Sequence, residues 1–156
     1  MQVICEDNHI IIVYKESGEI VQGDKTGDEP LSDKVKAYIK ERYAKPGAVF
    51  LGVAHRLDRP VSGLVVMART SKALARLNKM FAEGEVHKTY WAIVDRDKSL
   101  VEGGARGDDG WLTLEHWLVR NEQQNKSYAY DREVPRSKRA VLRYRPIAHT
   151  DRYTLL

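Results

Sequence analysis

Cysteine is nearly absent from this 156-residue chain: Cys5 stands alone. It cannot form an internal disulfide, so nothing here requires an oxidising compartment. Without a neighbouring His or Cys cluster it is no metal site either, and it reads as a small residue on a buried strand. The N-terminus, Met1-Gln2-Val3-Ile4-Cys5-Glu6-Asp7, lacks the basic start and apolar centre of a secretory signal. The longest apolar runs fall far short of a membrane span. The expectation is a cytoplasmic protein with no membrane partner. Also missing are a Gly-rich phosphate loop, a zinc-ligand spacing, a Gly-x-Ser-x-Gly elbow, repeats and low-complexity tracts.

What is present suits an ordinary folded chain. Hydrophobic residues make up 42% and charged residues 31%, enough to bury a core and too apolar for a disordered chain. The length predicts one domain over residues 1–156. The net charge of +4 is compatible with a polyanionic partner without identifying one. A turn at Glu6-Asp7-Asn8 precedes the strand-like His9–Tyr14, and Lys15-Glu16-Ser17-Gly18 turns the chain again. Ile20-Val21-Gln22 is expected to pair nearby, and Gly23 to Pro30 to form a loop. Ser32 is the expected N-cap of a helix carrying Val35, Tyr38, Ile39 and Tyr43, stopped by Lys45-Pro46-Gly47.

Apolar stretches at Ala48–Val53 and Leu64–Ala68 then read as strands, followed by a helix capped at Thr70 or Ser71. Ala73, Leu74, Leu77, Met80 and Phe81 fall on one side of that helix, and Gly84 ends it. Tyr90–Val94, Trp111–Val119, Ala140–Tyr144 and Tyr153–Leu156 are the remaining strands. Residues 120–139 hold six Lys/Arg against three acids and read as a solvated basic loop. His116 and His149 show no partner pattern and are read as incidental. Strands outnumber helices without alternating with them, which predicts an α+β fold with a mixed, mainly antiparallel sheet and flanking helices.

Between the two apolar stretches sits Ala54-His55-Arg56-Leu57-Asp58-Arg59-Pro60-Val61-Ser62-Gly63. Arg56 and Arg59 lie close to Asp58 in sequence, and a nearby cation favours the carboxylate form. An ionised carboxylate can act as nucleophile or general base. Pro60 and Gly63 stiffen and turn the segment, fixing where its side chains point. Taken alone, a structural salt bridge or turn is the better reading of this cluster.

The segment closely resembles the His-Arg-Leu-Asp motif of the RluA-type RNA pseudouridine synthases. Glu6–Gly18 resembles that family's opening strand and Lys-x-Ser-Gly turn, and Lys88-Thr89-Tyr90 its Lys-x-Tyr motif, so the likeness runs in order along nearly the whole chain. The resemblance implies the pseudouridine synthase catalytic-domain fold and an isomerase that rejoins uracil to ribose through carbon in rRNA or tRNA. Asp58 would be its essential carboxylate. Tyr90 would lie against the target base as a second catalytic residue, taking part in proton transfer; the alternative is a strand tyrosine in the core beside Trp91. Arg56 would hold the flipped-out nucleotide, with His55 on the same phosphate-facing surface. Arg59, Lys88 and the basic 120–139 stretch would add RNA contacts, Lys88 equally being structural. Lys15 would be structural. No cofactor and no metal are implied. Reaching a base in folded RNA requires extruding and stacking it.

Two family features are missing: a Gly-Arg-x-His-Gln-x-Arg motif after a segment like Tyr153–Leu156, and the S4-like RNA-binding domain of some relatives. The arginine of that motif pairs with the catalytic carboxylate. The chain is therefore expected to be the N-terminal and central part of a catalytic domain, inactive alone and prone to association through an open sheet edge. The rival reading is a non-catalytic RNA-binding fragment or remnant of the family. A carboxylate hydrolase is weaker, since no second acid is marked out.

Overall fold

β-Branched residues crowd Ile10-Ile11-Ile12-Val13, and a strand forms there because such side chains pack well on a pleated surface. The structure is a computed structural model that describes residues 1–96, 105–106, 110–124 and 126–156. The chain divides into two compact units, Met1–His87 and Lys88–Leu156.

In the first unit, β1 (Gln2–Glu6) and β2 (Ile10–Lys15) form an antiparallel hairpin. Asp7 closes its turn, Oδ1 accepting from His9 N at 2.6 Å and Ile10 N at 2.7 Å. β3 (Gly52–Val53) and β4 (Gly63–Ala68) complete a four-stranded sheet of order β1-β2-β4-β3, antiparallel throughout. The register opposes Ile11 to Met67, Val13 to Val65 and Lys15 to Gly63. One face of these strands, Ile11, Val13, Val65 and Met67, clusters with Leu31, Val35 and Ile39 of helix α1 (Leu31–Arg42) as the core. Helix α2 (Ser71–Ala82) lies against β3 and β4. Thr70 caps it as expected, its Oγ1 accepting from Ala73 N at 3.1 Å.

Several local expectations need correction. Cys5 lies on a strand but is exposed, because β1 is an edge strand. Ser32 is not the cap of α1: Pro30 is, without a side-chain cap, and Ser32 is buried inside the helix. The helix's free N–H groups are met instead by main-chain carbonyls. Leu31 N donates to Ile20 O at 2.8 Å and Ser32 N to Val21 O at 3.1 Å. That use of their carbonyls explains why Ile20 and Val21 join no sheet. Tyr43 is the C-cap and not a helical residue. The Ala48–Val53 strand shrinks to Gly52–Val53.

The second unit is built on strands alone among the described residues. β5 (Ile93–Asp95) pairs with β11 (Tyr153–Leu155), which pairs with β10 (Ala148–His149). A second sheet centres on the long β7 (Leu112–Asn121). β9 (Lys138–Tyr144) pairs with it, as do β6 (Ala105–Arg106) and β8 (Lys126–Tyr130). The expected basic loop is thus in part sheet: residues 120–121 belong to β7, and 126–130 and 138–139 pair with it; Asn125 lies outside the described residues. Every described pairing is antiparallel, so the α+β class holds without a parallel component among them. No described helix is long and apolar enough to cross a membrane.

Candidate active site

From His55 to Asp58 the exposure of successive side chains alternates. His55 and Leu57 are half-buried, while Arg56 and Asp58 are exposed. Leu57 packs against the core cluster. His55 stacks beside Phe81 of α2, ring centroids 4.9 Å apart, and its Nε2 accepts from Val66 N of β4 at 3.0 Å. A ring nitrogen that accepts is unprotonated, so the imidazole proton sits on Nδ1. Two inward side chains therefore clamp the segment to sheet and helix. The same alternation leaves the outward pair, a guanidinium and a carboxylate, exposed.

Beyond Asp58 the chain turns, and each carbonyl of that turn is engaged. Asp58 O accepts from Val61 N at 3.0 Å. Arg59 O accepts from Gly18 N at 2.8 Å and from Lys15 Nζ at 3.1 Å. Pro60 O accepts from Ser17 Oγ at 2.9 Å, and Val61 O from Lys15 Nζ at 2.6 Å. Lys15 Nζ spends its third donor on Glu16 O at 3.1 Å. The Lys-x-Ser-Gly turn is thereby a mould for residues 59–61. It lies there because Lys15, last in β2, stands opposite Gly63, first in β4. Gly18 (φ +93°) and Gly63 (φ +145°) hold backbone conformations that side chains disfavour, so both bends depend on glycine.

Lys15 is fully buried. Burial pushes its ammonium below the ordinary lysine value; the carboxylates of Glu19 and Asp58 oppose this, and Arg59 adds to it. Asp58's charge thus reaches Lys15, yet its carboxylate accepts no hydrogen bond and forms no ion pair among the described residues. Arg59 is turned elsewhere. Its Nη1 donates to Asp28 Oδ2 at 2.7 Å and its Nη2 to Thr26 Oγ1 at 2.9 Å, with Asp24 Oδ2 at 3.6 Å. The hydrogen bond from Arg59, then that from Thr26, holds Asp28 below the usual carboxylate range. Thr26 does the same for Asp24. In the sequence these three residues fall in the polar Gly23–Pro30 loop, where two acids flanking a threonine are the only signal.

Lys88 and Tyr90 belong to the second unit, in an irregular stretch before β5. Tyr90 is 58% exposed and Trp91 79%. The expected strand begins only at Ile93, and neither ring is in a core. Among the described residues no group of His, Cys, Asp and Glu is placed to hold a metal ion.

The sequence model of a family described as RNA pseudouridylate synthase matches residues 9–156. The mitochondrial pseudouridylate synthase RPUSD4 of Xenopus tropicalis is 35% identical over 105 residues, covering 65% of this chain and 31% of that protein. Ribosomal large subunit pseudouridine synthase C of Vibrio vulnificus is 36% identical over 92 residues, 59% of this chain and 27% of that one. The dual-specificity RNA pseudouridine synthase RluA of the same species is 31% identical over 105 residues, 65% of this chain and 39% of that one. The chain matches between 27% and 39% of the length of these three curated relatives. Among solved structures, human RNA Pseudouridylate Synthase Domain Containing 4 shares the fold, with a TM-score of 0.72 at 18% identity. That match covers 99% of this chain and 56% of the human one.

Proposed function

The chain belongs to the RluA-type RNA pseudouridylate synthase family, and we propose that it carries the aspartate of an enzyme converting uridine in RNA to pseudouridine. The observation behind this reading is the Asp58 turn. Its four carbonyls are all engaged, while the carboxylate itself is exposed and unpartnered among the described residues. A fixed backbone under a free nucleophile is the arrangement that catalysis by positioning needs. The isomerisation breaks the bond from N1 to C1′ and makes one from C5 to C1′. The C5 hydrogen leaves as a proton and N1 gains one, so no oxidant is consumed. Asp58 assists the detachment and reattachment of the base. Arg56, two residues before Asp58 in the same segment, contacts phosphate. His55, stacked on Phe81 and bound to Val66, serves to hold the segment in place.

The test uses rRNA and tRNA transcripts tritiated at uracil C5, whose tritium is released as pseudouridine forms. Asp58→Ala and Asp58→Asn are expected to reduce release to background while RNA retention on filters stays at the wild-type level. Release that persists in Asp58→Ala overturns the assignment. RNA retention without release, in the chain supplied with a family C-terminal region that carries the Gly-Arg-x-His-Gln-x-Arg motif, favours the non-catalytic binder instead.

A further inference from the structure

Arg59 joins two parts of the first unit. Its carbonyl sits in the Lys15–Gly18 mould, and its guanidinium closes on Asp28, Thr26 and Asp24. Thr26 is itself set by Asp24, whose Oδ1 accepts from Thr26 N at 2.8 Å and from Thr26 Oγ1. The loop carrying these three is anchored at both ends. Val21 and Leu31 are core residues, and the carbonyls of Ile20 and Val21 bind the start of α1. An RNA phosphate would have to compete with two carboxylates for this guanidinium, whose side chain is 40% exposed. Arg56, by contrast, is exposed, with no hydrogen bond or ion pair among the described residues.

We propose that Arg59 is a positioning residue and not an RNA contact. It latches the Asp58 turn to the Asp24–Asp28 loop, so the turn is held by its carbonyls on one side and by a side chain on the other. The role rests on the reading of Asp58 as the catalytic carboxylate. An exposed ion pair adds little to global stability, so the latch acts on where Asp58 points. A displacement near 1 Å at a reacting group can cost on the order of a hundredfold in rate.

The test compares Arg59→Ala, Arg59→Lys, Asp28→Asn and the Arg59→Ala/Asp28→Asn double variant in the full chain. Two readouts need no activity: tryptic cleavage after Lys25, which lies inside the latched loop, and amide exchange at Val61. Both should rise in Arg59→Ala and Asp28→Asn, and the double variant should exceed neither. Arg59→Lys should fall between, since one ammonium cannot reproduce the guanidinium fork. Pseudouridine formation should show kcat lowered about ten- to a hundredfold with KM unchanged. RNA affinity and its salt dependence should hold at wild-type values. Unchanged cleavage and exchange in Arg59→Ala overturn the latch. So does a loss of RNA affinity with the salt slope reduced by about 1, the mark of a phosphate contact. If cleavage and exchange respond while the otherwise unaltered chain, supplied with that C-terminal region, makes no pseudouridine, the latch stands and the reading of Asp58 fails.

Discussion

The two units of this chain place similar residues to different effect. Of thirteen buried hydrophobic residues among those described, eleven lie in Met1–His87 and two, Leu112 and Tyr144, in Lys88–Leu156. The second unit is not short of apolar side chains: Trp91, Ile93, Val141, Leu142 and Ile147 are all exposed. It is also well paired, with β7 hydrogen-bonded along both edges. The first unit adds a covering layer, the face of α1 that brings Leu31, Val35 and Ile39 onto β2 and β4. Strand pairing satisfies the backbone; a core needs a second layer. The candidate carboxylate sits in the unit that has one.

Two optical signals separate the units. All three tryptophans, Trp91, Trp111 and Trp117, are in the second, and both described helices are in the first. Ile39→Ala, a cavity in the layered core, should lower stability by about 3 kcal/mol, read as an earlier urea midpoint in the helical signal at 222 nm. Lys15→Met should cost about 2 kcal/mol, because Glu16 O and Val61 O lose their charged donor inside the protein. It should also raise amide exchange at Gly18. Ile93→Ala, at a side chain 73% exposed, should move the tryptophan midpoint by less than about 0.5 kcal/mol. A cost for Ile93→Ala as large as that for Ile39→Ala would erase the contrast.

The first unit's core was legible because its apolar residues form short runs, as in Leu64–Ala68, or recur at helical spacing, as Val35 and Ile39 do in α1. So was the motif that led to Asp58. Features settled by distant partners were not. Ser32 looked like a cap, but the carbonyls of Ile20 and Val21 took that place. Lys126–Tyr130 sits among charges and polar residues, and pairing with β7 makes it a strand. The partners of Arg59 were not legible either, because Asp24 and Asp28 lie 31 or more positions away in sequence. Local preference says little about where a long side chain ends.

The pairing of Lys15 with Gly63 has one more consequence. In a β-sheet a slip of one residue sends every side chain to the opposite face. A chain that paired β2 with β4 one step out would keep its sheet and its sequence but carry Lys15 outward, leaving the carbonyls of Arg59 and Val61 without their ammonium. Strand alignment and the shape of the Asp58 loop are therefore checked by a single side chain, which works as a proofreading key for the fold. Insertions within Ile10–Gly18 should be far less tolerated than insertions of equal length between Ala44 and Phe50, where no such key is read.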